Sequence, residues 1–523
     1  MAVASVTTFP AHEIARLVAR REVSPVDVVD AHLERIEALN PELNAFVFVD
    51  ADGARAAARA AERAVARGEP LGPLHGVPLS IKSSISVTGM PWETGSPLRR
   101  GVRGQRDATL VRRAREAGAI VLGVTNVAEN LMAWETDNAL YGRTCNPWDP
   151  GRTAGGSSGG ESAAIAAGLS AGGVGSDGGG SIRVPAHFTG IVGLKPTPGR
   201  VPATGHFPPC AGPFALTGVV GPMARTVDDV ALLLSVMAGP DIGDPNAHPV
   251  PLQAGGWRRE AGGWRLAAGG WGLGAGGSPP ASRPLPPAPL RVGYFEDDGR
   301  TPVEPAIRDA VRRAADALSR AGYDVIPFRP EGLEEARALW WEIFGRALRL
   351  LLEPMIAGHE HEIHPNVPQF LEWTRQTPKL TAERLLEVEM ARDGLRARVL
   401  EQMAETPVLL CPVSAVCAFR HGERTWTIGD HEVQYLDAWS YSAWFNLLQN
   451  PAVSVPAGFT PEGLPVGVQV VARHWEEMTA LAVAKEIERA LGGYRTPADA
   501  SLQPAASGLE PPADSPTWSG TRP

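Results

Sequence analysis

Two glycine-rich serine clusters, separated by an alanine-rich stretch, constrain this chain more than any other feature. "GGSSGG" (155–160) runs into the helix-compatible "ESAAIAAGL", and "GVGSDGGGSIRVP" (173–185) follows it. A flexible Gly/Ser linker does not enclose an alanine-rich helix between its glycines. Glycine at this density serves a backbone that needs positive φ or a close approach to a ligand. The row Gly178, Gly179, Gly180 ends on Ser181. Several backbone N–H groups then point at one place, as stabilisation of an oxyanion requires. With Ser157, Ser158 and the upstream Lys82 in "SIKSS", these segments contain the parts of a serine–serine–lysine system.

Competing readings of the same residues are weaker. Gly173, Gly175 and Gly178 match G-x-G-x-x-G, but no acidic residue lies between Asp177 and Asp228 to bind a ribose, and no Walker pattern occurs. His359, His361 and His364 in "GHEHEIHPN" lack the i, i+4 histidine pair of a helical zinc site, because position 363 is Ile. That stretch reads as solvated, and no metal or organic cofactor is expected. Ser181 does not sit in a G-x-S-x-G elbow, and no histidine occupies a motif that recommends it as a base.

Composition narrows the class further. The net charge of −9 and scattered basic residues argue against nucleic-acid binding. The four cysteines form no CxxC pair, so reduced thiols in the cytoplasm are expected. The N-terminus shows no secretory pattern, and no apolar run is long enough to predict a membrane span.

Hydrophobic periodicity predicts helices over the first 70 residues, one of them capped by Ser24 and opened by Pro25. Strand and helix patterns then alternate: "HGVPLSIKSSI", "ATLVRRAREAGAIVLGVTN", "LRVGYF", "AIRDAVRRAADALSRAG", "YDVIPF" and "PVGVQVVA". This predicts a helical region at 1–70 packed on one large α/β domain at 71–495. Residues 252–289 carry three Gly-Gly-Trp copies and a proline-rich run; they are expected to be a disordered insertion, as is the tail at 496–523.

At its serine clusters the chain resembles the amidase signature family, which includes bacterial amidases, fatty acid amide hydrolases and the glutaminase subunit of aminoacyl-tRNA amidotransferases. "NPWDPGRTAGGSSGGESAAIAAGL" and "GSDGGGSIRVPAHFTGIVGLKPTPGRV" read as the family's signature block. The resemblance implies a central mixed, twisted β-sheet covered by helices. It also implies a cytoplasmic serine amidohydrolase acting on linear amides, working alone or as a homodimer on a small-molecule amide. Ser181 takes the place of the nucleophile, Ser157 of the bridging serine behind a cis peptide bond, and Lys82 of the base. Gly178, Gly179 and Gly180 would form the oxyanion hole, supported by Ser158, Asp177 and Arg183.

Three positions depart from the family pattern. Ser83 replaces an acidic residue, and Ala154 a proline. Glutamine-using members carry an aspartate at a fixed interval before the proline of a late strand motif. Counted back from Pro451, that position holds Trp439, with Asp437 two residues out of register. The alternative of an amidotransferase glutaminase is weakened accordingly. Met132, Trp439, Tyr441 and Trp444 are the candidates for an apolar or aromatic acyl pocket.

Overall fold

Local chemistry sets where the helices begin. The Ser24 hydroxyl accepts the Val26 N–H at 3.0 Å, and Pro25 opens helix Pro25–Leu43, which ends on left-handed Asn44. Helix Ala51–Arg67 is capped by Asp50 and stops at Gly68, φ +69°. The computed structural model describes residues 3–212, 214–252, 257–260, 263–266, 289–375 and 381–497. Most of the 496–523 tail therefore lies outside the described residues.

The core is an 11-stranded mixed sheet. Across it run Phe46–Val49, Ile120–Thr125, Pro78–Lys82, Gly172–Asp177, Val219–Ala224 and Val192–Lys195. Ala452–Phe459, Pro465–Ala472, Val408–Pro412, Arg291–Tyr294 and Asp324–Pro327 complete it. Helices Pro305–Arg320 and Glu477–Leu491 pack on each other and on Ala452–Phe459. The first 70 residues are not wholly helical: Phe46–Val49 forms the edge strand, antiparallel to Ile120–Thr125. A four-residue strand is too short to show alternation beside long helical periodicities.

The register of three strands positions the site. Pro78–Lys82 runs parallel to both Ile120–Thr125 and Gly172–Asp177, with Ile81 opposite Val124 and Val174. Lys82 and the Ser176–Asp177 pair therefore leave the sheet at the same edge, at the carboxyl ends of adjacent parallel strands. Open α/β sheets place their ligand crevices there. Gly173 in this strand has no alternative, because a Cβ would lie 1.8 Å from the Glu161 carboxylate.

The described residues of 333–375 and 381–402, for which periodicity gave no assignment, form a helical block: Leu333–Trp340, a π turn at Trp341–Gly345, Arg346–Ile356, Asn366–Arg375 and Ala382–Gln402. Its first helix carries Trp340 over the glycine loop. Within 252–289 the described residues form only an antiparallel ribbon, Trp257–Glu260 with Gly263–Leu266, outside the main sheet. The remainder of that disorder expectation falls outside the described residues. Among the described residues, no helix is long and apolar enough to cross a membrane.

Candidate active site

Lys82, the last residue of its strand, is fully buried. Its Nζ donates to Ser157 Oγ at 2.8 Å, Ser158 Oγ at 2.8 Å and Ser176 Oγ at 3.0 Å. Among the described residues no carboxylate forms an ion pair with it. Burial dominates its protonation, pushing the amine from 10.5 to about 7, while the more distant charges of Asp177 and Glu161 pull weakly the other way. One of those two acids is largely silenced. Glu161 is itself buried, accepts from Ser80 Oγ at 2.5 Å and Thr125 Oγ1 at 2.8 Å, and is driven up to about 8.

Ser157 follows a cis peptide bond from Gly156. Ser158 opens helix Gly159–Ala166, and its N–H donates to the Ser181 carbonyl at 3.3 Å, joining the two serine loops. Ser181 is partly exposed. It shares a cavity with Ser157, Ser176, His206 and Cys210 whose apolar wall is Leu131, Met132, Phe214, Phe344 and Leu348. A second, adjoining cavity at Ser181 is lined by Met132, Trp134, Gly179, Trp340 and Phe370.

Asp177 and Arg183 hold the loop between them. Their ion pair has two contacts of 3.0 Å with both side chains fully buried. Asp177 also accepts the Gly180 N–H at 2.7 Å and the Ile182 N–H at 3.1 Å. Burial would raise its carboxyl, but Arg183 and the Gly180 N–H hold it far below the usual range. Arg183 reaches on to Gln469 Oε1 at 3.0 Å and Asn446 Oδ1 at 2.6 Å. The Gly180 N–H is thus committed to Asp177. The N–H groups of Gly178, Gly179 and Ser181 meet no acceptor among the described residues.

A buried lysine facing hydroxyls, a serine on a glycine loop and unengaged backbone donors make a site for nucleophilic attack on a carbonyl. The amidase family profile matches residues 27–481. The chain belongs to the amidase signature family. An acylamidase of Rhodococcus erythropolis is 34% identical over 494 residues, covering 91% of this chain and 94% of that protein. A glutamyl-tRNA(Gln) amidotransferase component from Salinispora arenicola is also 34% identical, covering 94% and 99%. A bacterial aryl acylamidase of the amidase signature family superposes with a TM-score of 0.78 at 26% identity, covering 96% of this chain and 99% of that one.

Within this amidase the structure brings Lys82, Ser157, Ser158, Asp177, Arg183 and Gly178–Ser181 together, with Met132 in the cavity wall. It does not bring Trp439, Tyr441 or Trp444 to either cavity at Ser181. All three are buried in the core. Trp439 stacks on Trp134 at 5.3 Å, the Tyr441 hydroxyl donates to the Thr301 carbonyl, and Trp444 packs on Tyr441 and Phe295. Helix Ser440–Leu447 is enclosed on every side, its polar Ser440, Ser442 and Asn446 included, and Asn446 is spent on Arg183 and Asp177. Among the cavity residues that sequence reasoning missed are Ser176, His206, Phe214, Trp340, Phe344 and Leu348. Ser176 adjoins the glycine row and was findable; the others lie in segments with no motif.

Proposed function

We propose that this amidase hydrolyses a carboxylic amide to the carboxylate and ammonia or an amine, through an acyl-enzyme on Ser181. The observation that carries the reading is the surroundings of Lys82: buried, held by three serine hydroxyls and, among the described residues, unpaired with any carboxylate. An amine near neutrality is a base suited to proton transfer at working pH. Neutral Lys82 takes the proton of Ser157 Oγ as Ser157 takes that of Ser181. Ser181 Oγ bonds to the carbonyl carbon, and the C=O π pair moves onto oxygen. The N–H groups of Gly178, Gly179 and Ser181 are the donors for that oxyanion, each worth on the order of 10²–10³ in rate. Gly180 is left out because Asp177 holds its N–H.

When the oxyanion collapses, the C–N bond breaks and the proton on Lys82 returns through Ser157 to the leaving nitrogen. Water then attacks the acyl ester by the same relay. All three residues come from one chain. Met132, Phe214, Phe344 and Leu348 support an apolar or aromatic acyl group. A glutaminase role would call for a carboxylate facing the ligand's α-amino group. Among the described residues, Asp177 is the one carboxylate lining the cavity, and Arg183 occupies it; Asp437 pairs with Arg337.

The test is a panel of aliphatic, aryl and amino-acid amides against the purified protein and Ser181→Ala. Turnover of apolar amides by the parent alone is expected. Undiminished turnover by Ser181→Ala would remove the mechanism, and glutamine as the best substrate would restore the amidotransferase reading.

A further inference from the structure

We propose that Trp340 is a positioning residue that aims the Gly179 N–H at the oxyanion; this deepens, and rests on, the amide-hydrolase reading. The indole Nε1 of Trp340 donates to the Gly178 carbonyl at 2.9 Å. The cis peptides of the described chain are at Gly156–Ser157 and Phe207–Pro208, so the Gly178–Gly179 peptide is trans. In a planar trans peptide the C=O and N–H point in opposite directions. Anchoring the Gly178 oxygen therefore fixes where the Gly179 N–H points.

The neighbouring peptide plane shows what is distinctive here. Between Gly179 and Gly180 the carbonyl accepts from Trp134 Nε1 at 2.8 Å, and the N–H donates to Asp177 at 2.7 Å. That plane is held at both ends and has no donor to spare. The Gly178–Gly179 plane is held at its carbonyl by Trp340, and its N–H has no acceptor among the described residues. One indole is thus the polar anchor of an uncommitted donor beside Ser181.

Packing reinforces the hydrogen bond. A Cβ on Gly179 would lie 2.6 Å from Trp340 Cζ2, and one on Gly178 would lie 2.6 Å from Phe344 Cε2. The two rings stack at 4.8 Å and 18° and rest directly on the glycines. Trp340 is 1% exposed and sits at the end of helix Leu333–Trp340, just before the π turn. The helical block at 333–402 therefore contributes to the geometry of the reacting centre although it carries none of the triad.

The experiment uses Trp340→Phe, which keeps a ring but removes the N–H, and benzothienylalanine at 340, which keeps the bicyclic shape with sulfur in place of N–H. Butyranilide hydrolysis and phenylboronic acid inhibition are measured. The boronate bonds to Ser181 and places an anionic tetrahedral oxygen where the oxyanion forms. Expected are a kcat about 10- to 100-fold lower, a parallel weakening of the boronate, and a KM within about twofold of the parent, as loss of aim in one donor dictates. Trp341→Phe, which loosens the same helix end, should leave the ratio of boronate affinity to KM unchanged. An unchanged kcat in the sulfur analogue, or a kcat loss with unchanged boronate affinity, would overturn the assignment. If Ser181→Ala still hydrolyses the anilide, the amide-hydrolase mechanism fails instead, so the two failures are separable.

Discussion

Lys82 Nζ lies 2.8 Å from Ser157 Oγ inside a sheet edge that offers it hydroxyls and no ion pair among the described residues. Its base strength follows from that arrangement. Because burial favours the neutral amine at about 7, kcat/KM should rise roughly tenfold per pH unit below about pH 7 and level off above it. Lys82→Met should abolish turnover across the range. The folded pKa lies below the ordinary 10.5, so between those values the unfolded chain binds more protons than the native one. Stability should therefore rise with pH over that window, and the rise should be smaller in Lys82→Met. A pH–rate profile and urea titrations at several pH values check both; a flat profile through pH 7 removes Lys82 as the base.

Asp177→Asn should unfold the site, because Arg183 would be left buried with its principal counter-charge gone. Breaking such a pair costs about 3–5 kcal/mol. The Gly180 and Ile182 N–H groups also lose a charged acceptor. Thermal unfolding and residual activity measure the effect. A stability within about 1 kcal/mol of the parent would show that the pair is not what holds the loop.

How much of this was legible in the sequence depends on the kind of contact involved. That Lys82, Ser157 and Ser181 belong to one site was expected chiefly from the resemblance of the two serine clusters to the amidase signature family, and the alternation of helix and strand pointed to the sheet. The acyl wall was not readable. Trp439, Tyr441 and Trp444 look like a pocket in one dimension because every residue of helix Ser440–Leu447 is buried, polar ones included, so no spacing separates a ring in the core from a ring at a cavity. Phe214, Trp340 and Phe344 reach the cavity through long-range packing, which leaves no local period. The commitment of the Gly180 N–H to Asp177 is a matter of three-dimensional aim, invisible to composition.

Met132 and Trp439 separate wall from core. Met132→Ala should raise KM for amides with apolar acyl groups, because Met132 lines both cavities at Ser181. Trp439→Phe should lower stability by about 1–3 kcal/mol and leave KM nearly unchanged, since the indole stacks behind Trp134 and itself lines neither cavity. Steady-state kinetics with a short and a long acyl anilide, alongside denaturant unfolding, decide. A KM that moves with Trp439 and not with Met132 would return the aromatic residues to the pocket.

Removing residues 254–288 in favour of a short Gly-Ser link should leave both kcat/KM and the melting temperature nearly unchanged. The described strands inside this segment, Trp257–Glu260 and Gly263–Leu266, pair with each other and add nothing to the 11-stranded sheet. The chain on either side is tied down without them: Leu252 packs against the core, and Leu290 is buried one residue before strand Arg291–Tyr294. Loop-closure entropy changes only slowly with loop length, so shortening the connection should cost or gain well under about 1 kcal/mol. Differential scanning calorimetry and anilide hydrolysis of the shortened chain check this. A fall of many degrees would mean that the Gly-Gly-Trp copies pack on the domain, whereas a loss of activity at unchanged melting temperature would mean that they reach the site.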